Sequence, residues 1–185
     1  MAVNDKELIY YVDEQGVPTG ETAPKLAAHT AKTRLHAAFS CYVFNENGQI
    51  LVTRRASTKK VWPGVWTNSV CGHPAPGESD EDAIARRADF ELGMTIADVE
   101  VMLPDYIYKT PPFNGIIEYE FCPVYLARME SEPTPNSAEV DDFKWMNWNE
   151  FMTELKKDKN NAWSFWCKDQ VKRFDQDILR RYTGK

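Results

Sequence analysis

Short apolar runs of strand length recur along this chain, and turn-forming residues separate them. They occupy residues 8–12, 38–44, 49–53, 99–108, 116–126 and 143–147. Runs of this length bounded by turn residues are typical of strands. The second and third runs are joined by Asn45-Glu46-Asn47-Gly48, and an Asn-Gly pair between apolar runs predicts a β-hairpin.

Helical patterns occur in the middle and at the end of the chain. Ser79 followed by three acidic residues resembles a capping box, and Gly93 supplies a stop, so we expect a helix ending at about residue 92. Asn149 is expected to cap a short helix. Apolar residues at roughly helical spacing predict a last helix over residues 162–182, packed on the sheet rather than on a partner. Those apolar residues are Trp163, Trp166, Val171, Phe174, Ile178 and Tyr182.

Strands with helices before and after them predict one α/β or α+β domain built on a mixed sheet. The length of 185 residues suits a single domain, which we expect to span residues 1–185 with its core at about 29–127. A loop with one short helical turn is expected to carry residues 29–36. Residues 62–77 are rich in Gly, Pro and Asn. They predict a long loop with short extended pieces, and such loops are more often functional than not.

Charge and composition narrow the possible partners. The net charge of −6 leaves no basic footprint for nucleic acid, so a bound anion needs a local cationic pocket or a metal. No apolar run approaches the roughly 20 residues that cross a bilayer, and the polar start lacks a signal region. Four widely separated cysteines predict reduced thiols in a cytoplasmic protein. Three of them are expected to be small buried hydrophobes: Cys41, Cys122 and Cys167.

Three histidines and two glutamates form the first candidate site. Glu118 and Glu120 stand two apart in an otherwise apolar run, so in a strand they project to the same face. A buried strand of this kind would leave two carboxylates in need of partners. His29, His36 and His73 can supply such partners, because imidazole and carboxylate groups together can bind one divalent metal ion. Three histidines and two glutamates suit a five- or six-coordinate ion such as Zn²⁺ or Mn²⁺.

Plainer interpretations of these residues stay open. The glutamates can be a solvated pair on an exposed strand face, and the histidines can be unrelated surface or core residues. Cys71 and His73 can instead belong to a structural zinc site, in which the Cys71 thiolate would be an inert ligand.

A loop–helix pattern supplies the second candidate site. Its residues have the spacing of the Nudix box: Gly72, Glu78, Arg86, Glu91 and Gly93. Nudix pyrophosphohydrolases resemble one another in having glutamate where this chain has Arg87 and Phe90. Only Glu91 remains of the usual metal-binding glutamates on the helix, so we expect the box to hold one Mg²⁺ against a diphosphate without cleaving it. The alternative is an ordinary amphipathic helix whose last turn is partly exposed.

Several motifs together resemble type 1 isopentenyl-diphosphate isomerase, over nearly the whole chain from about residue 8 to 166. They are the segments 29–36 (HTAKTRLH), 52–56 (VTRRA) and 62–74 (WPGVWTNSVCGHP), Arg86-Arg87 with Glu91-Leu92-Gly93, and Glu118-Tyr119-Glu120. The long match at 62–74 is the most specific. The resemblance implies a Nudix-like fold and an enzyme that moves the double bond of isopentenyl diphosphate without hydrolysing it.

The resemblance also implies roles for individual residues. The active-site divalent metal would be bound by His29, His36, His73, Glu118 and Glu120. Cys71 and Glu120 would lie on opposite faces of the isoprenyl chain, with Tyr108 as the catalytic tyrosine. Glu91, with Cys71 at the same end of the site, would hold Mg²⁺ against the substrate diphosphate. The substrate-binding positions would be Lys25, Arg55, Lys59, Arg87 and Trp166.

Some points stay open even with that resemblance. The segment 162–166 is shorter than the family pattern, so Trp163 rivals Trp166 as the residue that covers the site. Either Cys71 or the Glu120–Tyr108 pair can be the acid. We expect a small-molecule substrate, no nucleic acid, no membrane, and a monomer or homodimer. The rivals are a Nudix hydrolase acting on nucleoside diphosphate derivatives and a non-catalytic Nudix-fold binding module.

Overall fold

Two β-sheets form the frame of the protein in a computed structural model that describes residues 7–184. The strands are β1 Leu8–Val12, β2 Pro18–Pro24, β3 His36–Ala37, β4 Phe39–Phe44, β5 Ile50–Arg55, β6 Trp66–Thr67, β7 Val70–Gly72, β8 Ile96–Leu103, β9 Ile107–Lys109, β10 Tyr119–Phe121, β11 Val124–Met129 and β12 Val140–Met146. The helices are α1 Lys25–Ala28, α2 Asp80–Leu92, α3 Trp148–Lys157, α4 Phe165–Gln170 and α5 Gln176–Thr183. The predicted α/β class with a mixed sheet is confirmed.

The larger sheet has the strand order β12-β5-β4-β11-β8, with β6 paired to β5 and β7 paired to β4. Its β4 and β11 are parallel, and its other pairs are antiparallel. The predicted hairpin joins β4 to β5. The side-chain oxygen of Asn45 accepts hydrogen bonds from the backbone N–H groups of Asn47 and Gln49, and Gly48 takes the positive φ that the turn requires.

The smaller sheet has the order β2-β1-β3-β10-β9. Its β3 and β10 are parallel, and this pairing sets Glu120 beside His36. On the other side of β10, antiparallel β9 sets Tyr108 beside Glu120. Three residues that the sequence singled out are therefore neighbours across adjacent strands.

Apolar side chains alternate between the two faces of β4 and β5, so the larger sheet has a core on each side. One core contains Phe39, Cys41 and Leu51, and α2 packs on it with its buried apolar face. The other contains Tyr42, Phe44 and the aromatic residues of the C-terminal segment. The predicted cap and stop of α2 are confirmed. Ser79 accepts a hydrogen bond from the backbone of Asp82, and Gly93 adopts the left-handed conformation.

Two predicted long strands are each divided between the sheets. The run at 99–108 breaks after Leu103 into β8 and β9, and the run at 116–126 breaks at Cys122-Pro123 into β10 and β11. β8 and β11 lie in the larger sheet, and β9 and β10 in the smaller one. Proline has no N–H to donate to a strand ladder, which suits Pro123 to the crossing point.

The helical predictions for the C-terminal region need correction. The continuous helix over 162–182 is wrong. α4 begins at Phe165 after the cap Ser164, a 3₁₀ turn follows at Val171–Arg173, and the extended Phe174 separates it from α5. Asp175 caps α5 by accepting two backbone N–H groups. The helical spacing of apolar residues continues through α4 and α5, which is why the sequence predicted one helix. The predicted cap Asn149 is also wrong, because α3 begins at Trp148 after Asn147.

Candidate active site

A cavity of about 330 Å³ lies where the smaller sheet meets β7 and α2, and nearly all the predicted site residues line it. They are Lys25, His29, Arg55, Lys59, Cys71, His73, Arg87, Glu91, Tyr108, Glu118, Glu120 and Trp166. His36 does not line the cavity, because it is fully buried, but its ring stacks on the ring of His73. Residues from seven separated parts of the chain therefore meet in one space.

The three histidine rings form a compact cluster, with ring centroids 5.0 to 5.3 Å apart. His29 follows the short helix α1, His36 starts β3, and His73 follows β7. One ligand atom from each imidazole and one carboxylate oxygen of Glu120 lie within 4.8 Å of one another. The structure therefore brings these four residues together, and their role as metal ligands stays a prediction.

The hydrogen bonds around the histidines direct their free nitrogens inward. Nδ1 of His29 lies 2.7 Å from the carbonyl oxygen of Lys25, and Nδ1 of His36 lies 2.9 Å from that of Arg34. A carbonyl only accepts, so Nδ1 of each ring carries a proton, and Nε2 is the atom that is left to bind a metal. Backbone partners of this kind orient imidazoles that bind metals.

The centre of the cluster suits a cation. His36 Nε2 lies 3.3 Å from His73 Nε2, which lies 3.1 Å from Glu120 Oε1. Burial lowers the pKa of His73 to about 3, and burial with His36 nearby lowers that of His29, so these rings stay neutral. A divalent ion fits this donor set, which the four residues can hold.

Tyr108 joins the two predicted carboxylates. Its hydroxyl lies 2.7 Å from Glu120 Oε2 and 3.3 Å from Glu118 Oε2. Both glutamates are buried, and burial together with the charge of Glu120 raises the pKa of Glu118. The two side chains share a face as predicted. The four-residue ligand cluster contains Glu120 and not Glu118, so a ligand role for Glu118 stays a prediction.

Cys71 lies on β7, next to the oxygen atoms of two polar side chains. Its Sγ donates to Asn68 Oδ1 at 3.0 Å and lies 3.6 Å from Ser40 Oγ. Burial raises the pKa of the Cys71 thiol to about 11. The other three cysteines are fully buried and free, as predicted.

The cationic residues cluster at one end of the cavity, where each of three meets a carboxylate. Lys25 donates to Glu7 at 2.9 Å, Lys59 pairs with Glu139, and Arg87 donates to Glu91 through Nε at 3.0 Å. Burial opposes ionisation of Glu91. Arg87 and Lys59 outweigh that effect and hold its pKa below the ordinary value. Sequence reasoning missed Glu7 and Glu139, because neither belongs to a motif.

Arg55 and Trp166 complete the cavity wall. The guanidinium of Arg55 donates to the carbonyl oxygens of Val61 and Trp62 and lies 5.8 Å from the centre of the Trp166 ring. Trp166 lines the cavity, while Trp163 packs against Trp66 and Phe151 outside it. The geometry therefore favours Trp166 over Trp163 as the residue that covers the site.

The Nudix-box residues occupy the positions that their spacing predicts. Arg86 is paired with Glu78 at 2.6 Å, an ion pair that ties the loop to α2. Arg87 and Glu91 lie on the buried face of α2, whereas Phe90 is half exposed. A Cβ on Gly72 would lie 3.0 Å from both Arg87 and Phe39. That close approach needs glycine.

Solved structures share this fold. A Deinococcus radiodurans crystal structure aligns with a TM-score of 0.70 and 20% identity, over 92% of this chain and 100% of the other. The MutT protein of Methanosarcina mazei Go1 aligns with a TM-score of 0.58 and 17% identity, over 78% and 95%. The family model described as NUDIX domain matches residues 34–167. Fold and domain match together define a Nudix-class protein.

Two curated relatives place the chain within that class. The protein of Paenarthrobacter aurescens (strain TC1) is 52% identical over 145 residues, which cover 78% of each chain. That of Salmonella heidelberg (strain SL476) is 51% identical over 160 residues, which cover 86% of each. Both are named isopentenyl-diphosphate Delta-isomerase. This chain belongs to the isopentenyl-diphosphate Delta-isomerase family.

Among the described residues, no helix has the length and apolar character to span a membrane.

Proposed function

We propose that this protein interconverts isopentenyl diphosphate and dimethylallyl diphosphate by adding a proton at one carbon and removing one at another. The observation that carries the proposal is the set of side chains that line one cavity of about 330 Å³. A thiol and a carboxyl–phenol pair share it with an indole, and a cluster of cations lies at one end. These are the groups that a diphosphate-anchored alkene would need for acid–base chemistry.

The cationic end is the diphosphate subsite. Lys25, Arg55, Lys59 and Arg87 are placed to bind the diphosphate oxygens. Glu91, with Cys71 at the same end, would hold Mg²⁺, which would supply further positive charge for the diphosphate. The carboxylates that now pair with Lys25 and Lys59 must yield to the arriving anion. The diphosphate does not react, and it holds the five-carbon chain in place between the catalytic side chains.

The metal would be held by His29, His36, His73 and Glu120. Glu118 would be the fifth ligand. We assign Mn²⁺ or Zn²⁺ there, because both accept imidazole with carboxylate. When bound, the ion supplies positive charge that makes acidic groups beside it stronger acids.

Two groups on opposite faces of the substrate carry out the proton transfers, each at one carbon. A proton added to C4 of the alkene leaves a tertiary carbocation at C3, and loss of a proton from C2 then forms the new double bond. Cys71 transfers a proton to or from one of these carbons, and Glu120 with the Tyr108 hydroxyl does so at the other. The substrate gains one proton and loses one, so its total number of protons does not change. The face of Trp166 stabilises the cation by about 2 kcal/mol when water is excluded.

Exclusion of water protects that carbocation. Tyr108, Trp166 and Glu120 are each no more than 6% exposed. A closed site of this kind keeps the cation from being trapped as an alcohol. All four cysteines are free thiols, which suits a reducing compartment, and we assign the enzyme to the cytoplasm.

Proton NMR in D₂O tests the proposed function. The purified protein, shown to contain its histidine-site metal, is incubated with Mg²⁺ and isopentenyl diphosphate. We expect dimethylallyl diphosphate with deuterium in its methyl groups, and no released phosphate in the ³¹P spectrum of the same tube. Unchanged substrate would contradict the isomerase. Phosphate release from nucleoside diphosphate derivatives without isomerisation would support a Nudix hydrolase instead.

A further inference from the structure

Asn68 is a buried amide that contacts two residues of the cavity wall, Cys71 and Trp166, and the proposed chemistry does not use it. It is fully buried in the turn between β6 and β7. Its side chain makes five hydrogen bonds, more than any of the predicted catalytic residues. A polar group buried to this extent and fully satisfied fixes the geometry of its neighbours.

The orientation of the Asn68 amide follows from its partners. Its Nδ2 lies 3.0 Å from the carbonyl oxygen of Cys41 and 2.9 Å from that of Val70. Carbonyls only accept, so the NH₂ group must face them, and Oδ1 must face the other way. The two backbone anchors lie on β4 and β7, which fixes Oδ1 relative to the larger sheet.

Three donors converge on that one oxygen. The Cys71 thiol donates at 3.0 Å, the Trp166 indole N–H at 3.2 Å and the Thr67 hydroxyl at 2.9 Å. Cys71 lies on β7 and Trp166 on α4 near the end of the chain. Apart from Asn68, the hydrogen bonds of these two side chains give them no common partner among the described residues.

We propose that Asn68 is a positioning residue for the isomerase reaction. Its side-chain oxygen holds the Cys71 thiol and the Trp166 indole in fixed positions relative to each other. This role rests on the proposed function. The thiol must face a carbon of the substrate while the ring covers the developing cation. A displacement of about 1 Å in such a group costs about 10²-fold in rate.

The network continues from Asn68 to the base of α4. Thr67 Oγ1 lies 2.9 Å from Ser164 Oγ, and Ser164 is the N-cap of α4. The backbone of Trp66 also pairs with Ala162 and Ser164. The turn that carries Asn68 therefore holds the helix that carries Trp166, and Asn68 fixes the side chain itself.

The test compares Asn68→Leu with the matched control Thr67→Val. Leucine has a similar size and no polar atom. Thr67→Val removes a donor to the same oxygen and the contact with Ser164, but it leaves the bonds to Cys71 and Trp166. The backbone bonds of Trp66 to Ala162 and Ser164 still hold α4 in this variant. For Asn68→Leu we expect kcat to fall about 10²-fold. KM should stay within about threefold, because the cationic diphosphate subsite is untouched. Thr67→Val should stay within about threefold of the wild type in both constants.

A second readout does not depend on activity. The indole N–H resonance of Trp166 is assigned in ¹⁵N–¹H spectra by its loss in Trp166→Phe. In Asn68→Leu it should move to the position of an indole without a hydrogen bond. In Asn68→Asp, which keeps an acceptor oxygen, it should stay near the wild-type position. The aspartate variant supplies this measurement even if the leucine variant does not fold.

The outcomes separate the two proposals. A wild type that isomerises the substrate, with an Asn68→Leu variant that has an unchanged kcat or an unmoved Trp166 resonance, overturns the positioning role alone. An equal loss of kcat in Thr67→Val overturns it too, since damage to any part of the buried network would then suffice. A metal-loaded wild type that does not isomerise the substrate overturns the proposed function and this role with it.

Discussion

Tyr108 shows how single side chains determine the chemistry of this site. Two carboxylates buried side by side repel, and the Tyr108 hydroxyl contacts both. Burial and the two glutamates raise the pKa of that hydroxyl well above its ordinary value, so it stays protonated and can donate. It can donate to only one glutamate at a time, and the shorter distance is to Glu120.

Tyr108→Phe removes that hydroxyl and keeps the ring. We expect kcat for isomerisation to fall by about 10²-fold or more, in the range that general acid–base groups contribute, while the metal content stays unchanged. The matched control is Tyr106→Phe. Its ring stacks on Tyr108 at 5.7 Å, but its hydroxyl donates to Asp169 outside the cavity. Equal rates for the two variants would rule out a catalytic role for the Tyr108 hydroxyl.

Cys71→Ala is the corresponding change at the opposed group. We expect a loss of kcat of about 10²- to 10⁴-fold, because no other thiol lines the cavity among the described residues. Cys41→Ala is the control, since Cys41 is fully buried in the core between the larger sheet and α2. That variant should lose some stability and keep its kcat. Full activity of Cys71→Ala in steady-state assays would contradict the proposed mechanism.

At the scale of elements, the segment between α3 and α4 determines where Trp166 lies. Asp158 organises this segment. One of its oxygens accepts hydrogen bonds from the backbone N–H groups of Asn160 and Ala162. The other accepts hydrogen bonds from the backbone N–H group of Trp163 and from the side-chain ammonium of Lys168. The side chain is only 3% exposed. Burial opposes its ionisation, but Lys168 and the backbone donors outweigh it and lower the pKa.

Asp158→Asn should lower the free energy of unfolding by about 1–3 kcal/mol, the range for hydrogen bonds to a charged group. Because the folded pKa is depressed, this stabilisation is complete above the unfolded value of about 3.9. It is lost as pH falls through the lower folded value. Urea unfolding of wild type and variant at pH 7 and at decreasing pH measures the difference, which should shrink in acid.

Asp177→Asn is the control for that experiment, because the Asp177 side chain is 88% exposed and pairs only with Arg180. An exposed pair contributes about 0–1 kcal/mol. If the two variants were equally stable at pH 7, Asp158 would not be the organiser of this segment.

The metal centre connects the molecule as a whole. Four of its five predicted ligands lie together, and they come from the residue after α1, from β3, from the loop after β7 and from β10. Without an ion, the facing lone pairs of His36 and His73 and the buried carboxylate of Glu120 oppose folding. An ion that binds the folded state alone should stabilise all these segments together.

Removal of the metal with a chelator should therefore lower the Tm, and Mn²⁺ or Zn²⁺ should restore it. An ion at about 100 times its Kd adds about 2.7 kcal/mol to the free energy of unfolding. Differential scanning calorimetry with metal analysis measures both quantities. In His36→Gln the chelator should change nothing. A chelator-induced shift that persisted in His36→Gln would place the metal elsewhere.

The sequence alone determined the local backbone structure of several segments, because interactions between residues close in sequence decide it. The Asn47-Gly48 turn, the cap Ser79 and the stop Gly93 each encode a backbone conformation through their own sterics and hydrogen bonds. The motif residues also identified the family, since they are the chemical groups that the reaction needs. Nearly all of the predicted site residues line one cavity.

Only the tertiary structure decided how these pieces meet. The parallel pairing of β3 with β10 sets His36 beside Glu120, and no local signal encodes a register between segments so far apart. The long apolar runs were divided because strand pairing, which depends on the whole fold, sends their halves to different sheets. The partners of the cations, Glu7 and Glu139, and the anchor Asn68 emerged for the same reason. A buried ionic or polar group is satisfied by whatever the fold brings near, and sequence spacing does not record that.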